Sequence, residues 1–373
     1  MPVPLLDVNA QNLPLESELT DVFTRVLRTG RFILGEEVEA FEAECAALVG
    51  ANHAVSMSSG TDALLAAFMA LGIGHGDEVL CPSFTFFATA GCISRTGATP
   101  VFCDVDPVSF NIDLASAAER LTPRTKAIVP VHLFGQSADL DEILAFAGAH
   151  GLAVVEDAAQ AIGATYRGRG CGTFGDFGCY SFFPSKNLGG FGDGGLVTTQ
   201  DAGHAETLRR IRNHGMHPRY YHAFVGANFR MDALQCALLR VKLRRYSDYT
   251  EGRRRNAAYY ETALKPLDGE HLLLPSSAPH NGHIWNQYTL RVTGSGRRDT
   301  LKEHLTERGI GCEIYYPLPL HHQECFRGLP EHALRPCPVS ELLSSEVLSI
   351  PIYPELTGAQ TEEVASTITS FFA

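Results

Sequence analysis

The chain has 373 residues, 45% of them apolar and 19% charged, and its 30 basic against 42 acidic side chains leave a formal net charge of −12. This composition excludes a disordered or fibrous chain, and the negative charge argues against a duplex-binding surface, so no nucleic-acid partner is expected. No window approaches 18 uninterrupted apolar residues, so no membrane span is expected. The start, MPVPLLDVNAQNLP, has neither a basic n-region nor an apolar h-region, so a cytoplasmic protein without a signal peptide is expected.

From about residue 50 to 200, short apolar runs alternate with helical patterns. AVSM (54–57), EVLCP (78–82), PVFCDV (100–105), AIVPVHLF (127–134), AVVED (153–157), FGCYSFF (177–183) and GGLVTT (194–199) read as strands. Between them, 61–71 places Leu64, Leu65, Phe68 and Leu71 at helical spacing, and 139–150 reads as another helix. The alternation predicts an α/β domain whose mostly parallel sheet is buried on both faces. Beyond residue 200, 202–213 and a long 232–263 read as helices. The second carries a basic stripe (Arg240, Lys242, Arg244, Arg245, Arg253, Arg254, Arg255), which reads either as a solvated face or as a contact for a nucleotide phosphate. A connector rich in Pro, Ser, Gly and Asn (265–282) precedes a smaller α+β unit, with a strand at 286–292, a helix at 298–308, a Pro-rich loop at 317–319 and a last helix from Gln360. The division expected is a large domain over 1–250 and a small one over 251–373.

The ten cysteines are scattered, with no C-x2-C pair and no zinc spacing, so buried reduced thiols, no disulfide framework and no metal are expected. There are only five lysines. Lys242 and Lys302 stand in charged helical surroundings and are expected at the surface, Lys265 precedes a proline near a helix end, and Lys126 opens an apolar strand. Lys186 differs, because SFFPSKNLGGFGDGGL holds almost no other charge.

Three motifs could carry chemistry. In SSGTDALLAAFMALG a strand runs into a helix start, where unpaired N–H groups and hydroxyls favour an anion, although a plain N-cap has the same residues. In AVVEDAAQAIGA an apolar strand ends in Glu156-Asp157, where a carboxylate suits a metal, a ribose, a protonated ring nitrogen or a helix cap. Lys186, in an apolar glycine-rich loop, has the setting of a Schiff-base nucleophile or of a mobile surface lysine. GGFGDGG lies between two strands with no helix behind it and so lacks the context of a dinucleotide loop. An anion cradle, a strand-end carboxylate and a loop amine are together what pyridoxal phosphate requires.

The order PLLDVN, SSGTDAL, PSFTFFATA, EDAAQAIGA, FFPSKNLGGFGDGG, NFRMDALQCA, YYPLPLHHQ and LSIPIYPELT resembles, over essentially the whole chain, the DegT/DnrJ/EryC1/StrS family of pyridoxal-phosphate-dependent sugar aminotransferases. The resemblance implies the aspartate-aminotransferase-like fold (fold type I), with a large α/β domain and a smaller α+β C-terminal domain. It implies that Lys186 forms the Schiff base, that Asp157 pairs with the pyridinium nitrogen and that Gln160 bonds the ring hydroxyl. Phe86 would stack on the ring, where relatives often carry another aromatic, and Gly60, Thr61 and Ser181 would hold the phosphate. Asn228 would reach the cofactor phosphate of a neighbouring subunit, implying a homodimer with shared sites. Tyr316 and His321 fall where relatives line the sugar pocket, or else pack a loop.

L-glutamate is the implied amino donor, pyridoxamine phosphate the intermediate cofactor form and a nucleotide-linked keto-sugar the acceptor. YYPLPLH with PSKNLGGFGDGG resembles relatives acting at C3 and implies a dTDP-3-keto-6-deoxyhexose. A UDP-linked 3-keto uronate and a 4-keto sugar are the alternatives. A sugar dehydratase of the same family is a further reading, and Lys186 counts against it because C3-deoxygenating members tend to carry histidine there. A non-catalytic regulator is another, disfavoured because no DNA-binding or membrane module is appended. A nicotinamide enzyme lacks its early glycine fingerprint.

Overall fold

The computed structural model describes residues 2–373. Seven strands form the large sheet: β1 (His53–Met57), β2 (Glu78–Pro82), β3 (Thr99–Cys103), β4 (Thr125–Ile128), β5 (Ala153–Asp157), β6 (Phe177–Ser181) and β7 (Gly195–Thr199). Their spatial order is β1-β7-β6-β5-β4-β2-β3, and only β7 runs against its neighbours. The C-terminal ends of β1, β2, β5 and β6 therefore open onto one edge. Every residue of β2 and β7 is buried, which is why their centres are continuous apolar runs (Val79-Leu80-Cys81 and Leu196-Val197) rather than alternating ones.

Around this sheet lie α1 (Glu16–Thr29), α2 (Glu36–Val49), α3 (Gly60–Ala70), α4 (Ala88–Arg95), α5 (Leu140–His150), α6 (Ala202–Ile211), α7 (Ala233–Leu243) and α8 (Tyr246–Leu264). Successive strand residues point to opposite faces. Val55, Cys179 and Val197 pack with Leu64, Ile93 and Leu208 of α3, α4 and α6. Their neighbours Ala54, Tyr180 and Leu196 pack with Phe41 and Leu239 of α2 and α7. A smaller antiparallel sheet follows, β8 (Leu272–Leu273), β9 (Tyr288–Val292) and β10 (Val347–Ile350), in the order β8-β9-β10. With it come α9 (Arg297–Glu307), α10 (Pro338–Glu346) and α11 (Gly358–Phe372), the last opened by a Thr357–Gln360 capping box. Val3 joins this smaller core, its N–H donating to Gly309 at 2.9 Å and its carbonyl accepting from Gly311 at 2.8 Å, so the first residues of the chain pack with its last third.

Several sequence expectations change. The helix expected over 232–263 is two helices, α7 and α8, separated at Arg244-Arg245, where Arg245 N–H turns back to the Lys242 carbonyl at 2.9 Å. α7 packs on α1 and α2 whereas α8 packs on α11, and one straight rod could not serve both layers. The basic stripe is divided: Arg244, Arg245, Arg254 and Arg255 are exposed, as a solvated face requires, whereas the other three residues are drawn into the fold. Arg240 pairs with Glu37 and Glu44, Arg253 is 2% exposed and donates to the carbonyls of Trp285, Asn286 and Ile352, and Lys242 is fully buried, contrary to its expected surface position. The strand expected over 127–134 ends at Ile128, because Pro130 has no N–H for the ladder. All ten cysteines are free thiols, and only Cys312 and Cys325 are not buried. No helix among the described residues is long and apolar enough to cross a membrane.

Candidate active site

The end of β1 delivers Ser58, Ser59 and Gly60 to the start of α3. The Ser59 hydroxyl caps the helix by accepting the Asp62 N–H at 3.0 Å, and Ser58 donates to the Asp62 carboxylate at 2.6 Å. This turn lies so close to the ends of β6 and β7 that glycine is required. A Cβ on Gly60 would stand 2.7 Å from the Ser181 Cβ, and one on Gly195 would stand 2.2 Å from the Ser59 carbonyl. Gly60, Thr61 and Ser181, all half-buried, thus share one shallow cradle of N–H and hydroxyl groups at a helix N-terminus, which suits an anion.

β5 ends in two carboxylates with opposite duties. Glu156 points away from the cradle and accepts from His132 at 2.9 Å and from the N–H groups of Gly172, Phe174 and Gly175 at 2.6, 2.7 and 2.8 Å. Burial alone would raise its pKa, but these donors bring it below the ordinary value, so it anchors the turn before β6. Asp157, one residue on and on the other face, is 5% exposed and has fewer donors, the Thr89 hydroxyl at 2.7 Å and the Ala159 N–H at 3.2 Å. Burial pushes its pKa up, opposed by those two bonds and then by the charge of Lys186. Lys186 is half-buried, and its pKa is pulled down to about 8 by burial, with the Asp157 charge opposing. A buried carboxylate without a full set of donors, facing an amine of lowered basicity beside an anion cradle, fits pyridoxal phosphate: the cradle for its phosphate, Asp157 for its ring nitrogen and Lys186 for its aldehyde.

Aromatic and amide groups line the opposite side. Gln160 accepts the Phe134 N–H on its Oε1 at 2.6 Å. The Tyr316 hydroxyl lies within reach of Gln160 and near Asp157, and burial followed by the Asp157 charge raises its pKa. Phe86, 56% exposed, stands 6.3 Å from the Tyr316 ring, with Phe84 6.0 Å from that ring on another side. His321 is buried beneath this layer with both ring nitrogens engaged, Nδ1 with the Ser83 hydroxyl at 2.6 Å and Nε2 with Glu341 at 3.1 Å. Asn228 lies elsewhere, exposed in a segment bridged to Asn213, with no hydrogen bond to Asp157 or Lys186 of its own chain.

Thr89 was missed by the sequence reading. Its signal was weak but present: it lies three residues after Phe86 in PSFTFFATA, on the helix that begins there, and its hydroxyl faces the strand that ends in Asp157.

Comparisons with known proteins identify the family. The model of the DegT/DnrJ/EryC1/StrS aminotransferase family matches residues 14–369. The chain is 46% identical over 374 residues to a pleiotropic regulatory protein of Geobacillus stearothermophilus, covering all of this chain and 99% of that one. It is 46% identical to a UDP-N-acetyl-3-dehydro-alpha-D-glucosamine 3-aminotransferase of Acidithiobacillus ferrooxidans, covering 98% of this chain and 97% of the other. The crystal structure of Streptomyces venezuelae DesV in complex with a ketimine intermediate superposes with a TM-score of 0.94 at 42% identity, covering 99% and 98% of the two chains. The chain belongs to the DegT/DnrJ/EryC1/StrS aminotransferase family and is a pyridoxal-phosphate-dependent transaminase of the aspartate-aminotransferase-like fold.

Proposed function

We propose that this transaminase moves an amino group from L-glutamate to C3 of a nucleotide-linked keto-sugar, a dTDP-3-keto-6-deoxyhexose. The observation that carries the reaction type is the meeting of Asp157 and Lys186 beside the Ser59–Thr61 cradle. The choice of C3 rests on the YYPLPLH and PSKNLGGFGDGG motifs. It is supported by the name of a relative 43% identical over 368 residues, the dTDP-3-amino-3,4,6-trideoxy-alpha-D-glucose transaminase of Streptomyces venezuelae. The Acidithiobacillus relative favours a second reading, a UDP-linked 3-keto sugar.

Pyridoxal phosphate, when bound, supplies an aldehyde and an electron-withdrawing ring. Gly60, Thr61 and Ser181 hold its phosphate with main-chain N–H and hydroxyl donors. Asp157, aligned by Thr89, keeps a proton on its ring nitrogen. The Gln160 amide nitrogen, left available because the Oε1 is taken by Phe134, bonds the ring hydroxyl, and Phe86 packs on the ring face. Lys186 would hold the aldehyde end of the cofactor, and its amine, when free, is the base placed to take the proton at the donor's Cα and, as its conjugate acid, to give a proton to C3 of the sugar. Tyr316 faces the sugar, and His321 acts from below by fixing Ser83 and the turn that carries Phe84 and Phe86. Asn228 completes the site of a second copy, and the exposed Tyr220, Tyr221 and Val225 beside it suit burial in a homodimer.

The test is an assay of the purified, cofactor-loaded protein with glutamate and a panel of 3-keto and 4-keto sugars on dTDP and UDP, read by mass. An amino sugar from the dTDP-3-keto substrate is expected. Product from 4-keto substrates alone would reject C3, and product only from UDP sugars would select the second reading.

A further inference from the structure

The loop that presents Lys186 is tethered by a second lysine. Lys242, in the last turn of α7, has no solvent-exposed surface. Its ammonium donates to the carbonyl of Gly189 and lies 5.4 Å from the centroid of the Phe191 ring. An ammonium so deeply buried is costly unless its hydrogen bonds and neighbours offset the loss of water. Its partner belongs to the turn that carries Lys186. Residues 183–190 fold back on themselves: Lys186 N–H donates to the Phe183 carbonyl at 2.8 Å, and Gly190 N–H donates to the Phe182 carbonyl at 2.7 Å. Gly189 closes this turn in the left-handed region, φ +65°, where a Cβ would stand 2.8 Å from the Pro184 carbonyl.

The turn has a second anchor on its other side. Asn187, 3% exposed, donates to the Ile284 carbonyl at 3.1 Å and accepts from Asn286 at 2.6 Å. Lys186 is therefore displayed between two buried tethers, one from α7 and one from the segment leading into β9. Leu188 also sinks into the core between these tethers, but Lys186 itself is flanked by the exposed Ser185 and the tethered Asn187, so the polar ties on either side fix the backbone that carries it.

We infer that Lys242 is a positioning residue for the transamination, its ammonium holding the Gly189 carbonyl and with it the backbone from which the Lys186 amine reaches the site. This rests on the reading of Lys186 as the reacting amine. Displacement of a reacting group by about an ångström can cost on the order of a hundredfold in rate.

The experiment compares wild type, Lys242→Met and Lys242→Arg. Amide hydrogen exchange is measured on the cofactor-free chains, and kcat, KM and the visible absorption of bound cofactor on the holoenzymes. Lys242→Met should speed exchange within 184–190 more than elsewhere and lower kcat about tenfold or more, with KM for both substrates held within about threefold. Lys242→Arg should recover part of the rate and of the protection. If Lys242→Met does not fold, Lys242→Gln carries the same readouts. A Lys242→Met enzyme of lowered melting temperature whose loop exchange and kcat match wild type would make Lys242 merely structural and overturn the inference. Failure of the Lys186 reading looks different: wild type itself would show no visible cofactor band that borohydride bleaches.

Discussion

The Thr89 hydroxyl donates to Oδ2 of Asp157 at 2.7 Å, from α4 and across 68 positions of the chain. It is the shortest of the two bonds that hold this carboxylate, the other being the Ala159 N–H at 3.2 Å. Asp157 is otherwise pushed toward its neutral form by burial, so Thr89 preserves the charge that a protonated ring nitrogen needs.

Thr89→Val, nearly isosteric, should therefore raise the Asp157 pKa further. The carboxylate would take up its proton at a higher pH, and the acid limb of kcat would move up in pH with a several-fold loss of rate. Stability should fall by about 1–3 kcal/mol, as for a lost hydrogen bond to a charged group. A pH–rate profile together with a thermal melt checks this; an acid limb that does not move would separate Thr89 from the chemistry.

Asp157→Asn keeps shape and removes charge. The protein should still bind cofactor, seen by its absorption, while kcat falls by about a hundredfold or more, the scale of losing one electrostatic group aimed at developing charge. Undiminished turnover would rule out the role of Asp157 in keeping the ring protonated.

Lys186→Met should remove the visible band and turnover together, and it also carries a stability prediction for the cofactor-free chain. Burial holds the Lys186 pKa at about 8, below its unfolded value. Between these two values the unfolded chain binds more protons than the folded one, so the stability of wild type rises with pH across that window, and the full burial penalty applies below it. The variant should thus be the more stable at pH 7, by about 1–3 kcal/mol, with the difference shrinking above pH 8. Denaturant titrations at pH 7 and pH 10 measure this. Lys242, also held at about 8 by burial, contributes the same slope to both chains and drops out of the comparison.

Gly60→Ala introduces a Cβ 2.7 Å from that of Ser181. The start of α3 and the end of β6 must separate, and overpacking of this kind costs about 1–3 kcal/mol. Cofactor affinity should fall with it, because the same atoms line the cradle. Equilibrium binding of pyridoxal phosphate to the variant checks the expectation, and unchanged affinity would move the phosphate elsewhere.

The amino-acid sequence by itself determined the alternation of strands and helices, the cradle at the start of α3, the carboxylate at the end of β5 and the isolation of Lys186. These are local matters: apolar runs of strand length, capping residues at a strand-to-helix turn, and one amine in a stretch poor in charge. Tertiary structure alone decided the rest. The break at Arg244-Arg245 follows from two layers pulling one helical segment in different directions, and nothing in its own periodicity marks it. Lys242 reads as a surface residue among arginines until the Lys186 turn is folded over it. His321 is 238 positions from Ser83, yet that hydroxyl and Glu341 occupy both of its ring nitrogens. Periodicity tells which way a side chain leaves its own element, while what it meets is set by the packing of elements far apart in the chain, and the partners of Asp157, Lys242 and His321 depend on that packing.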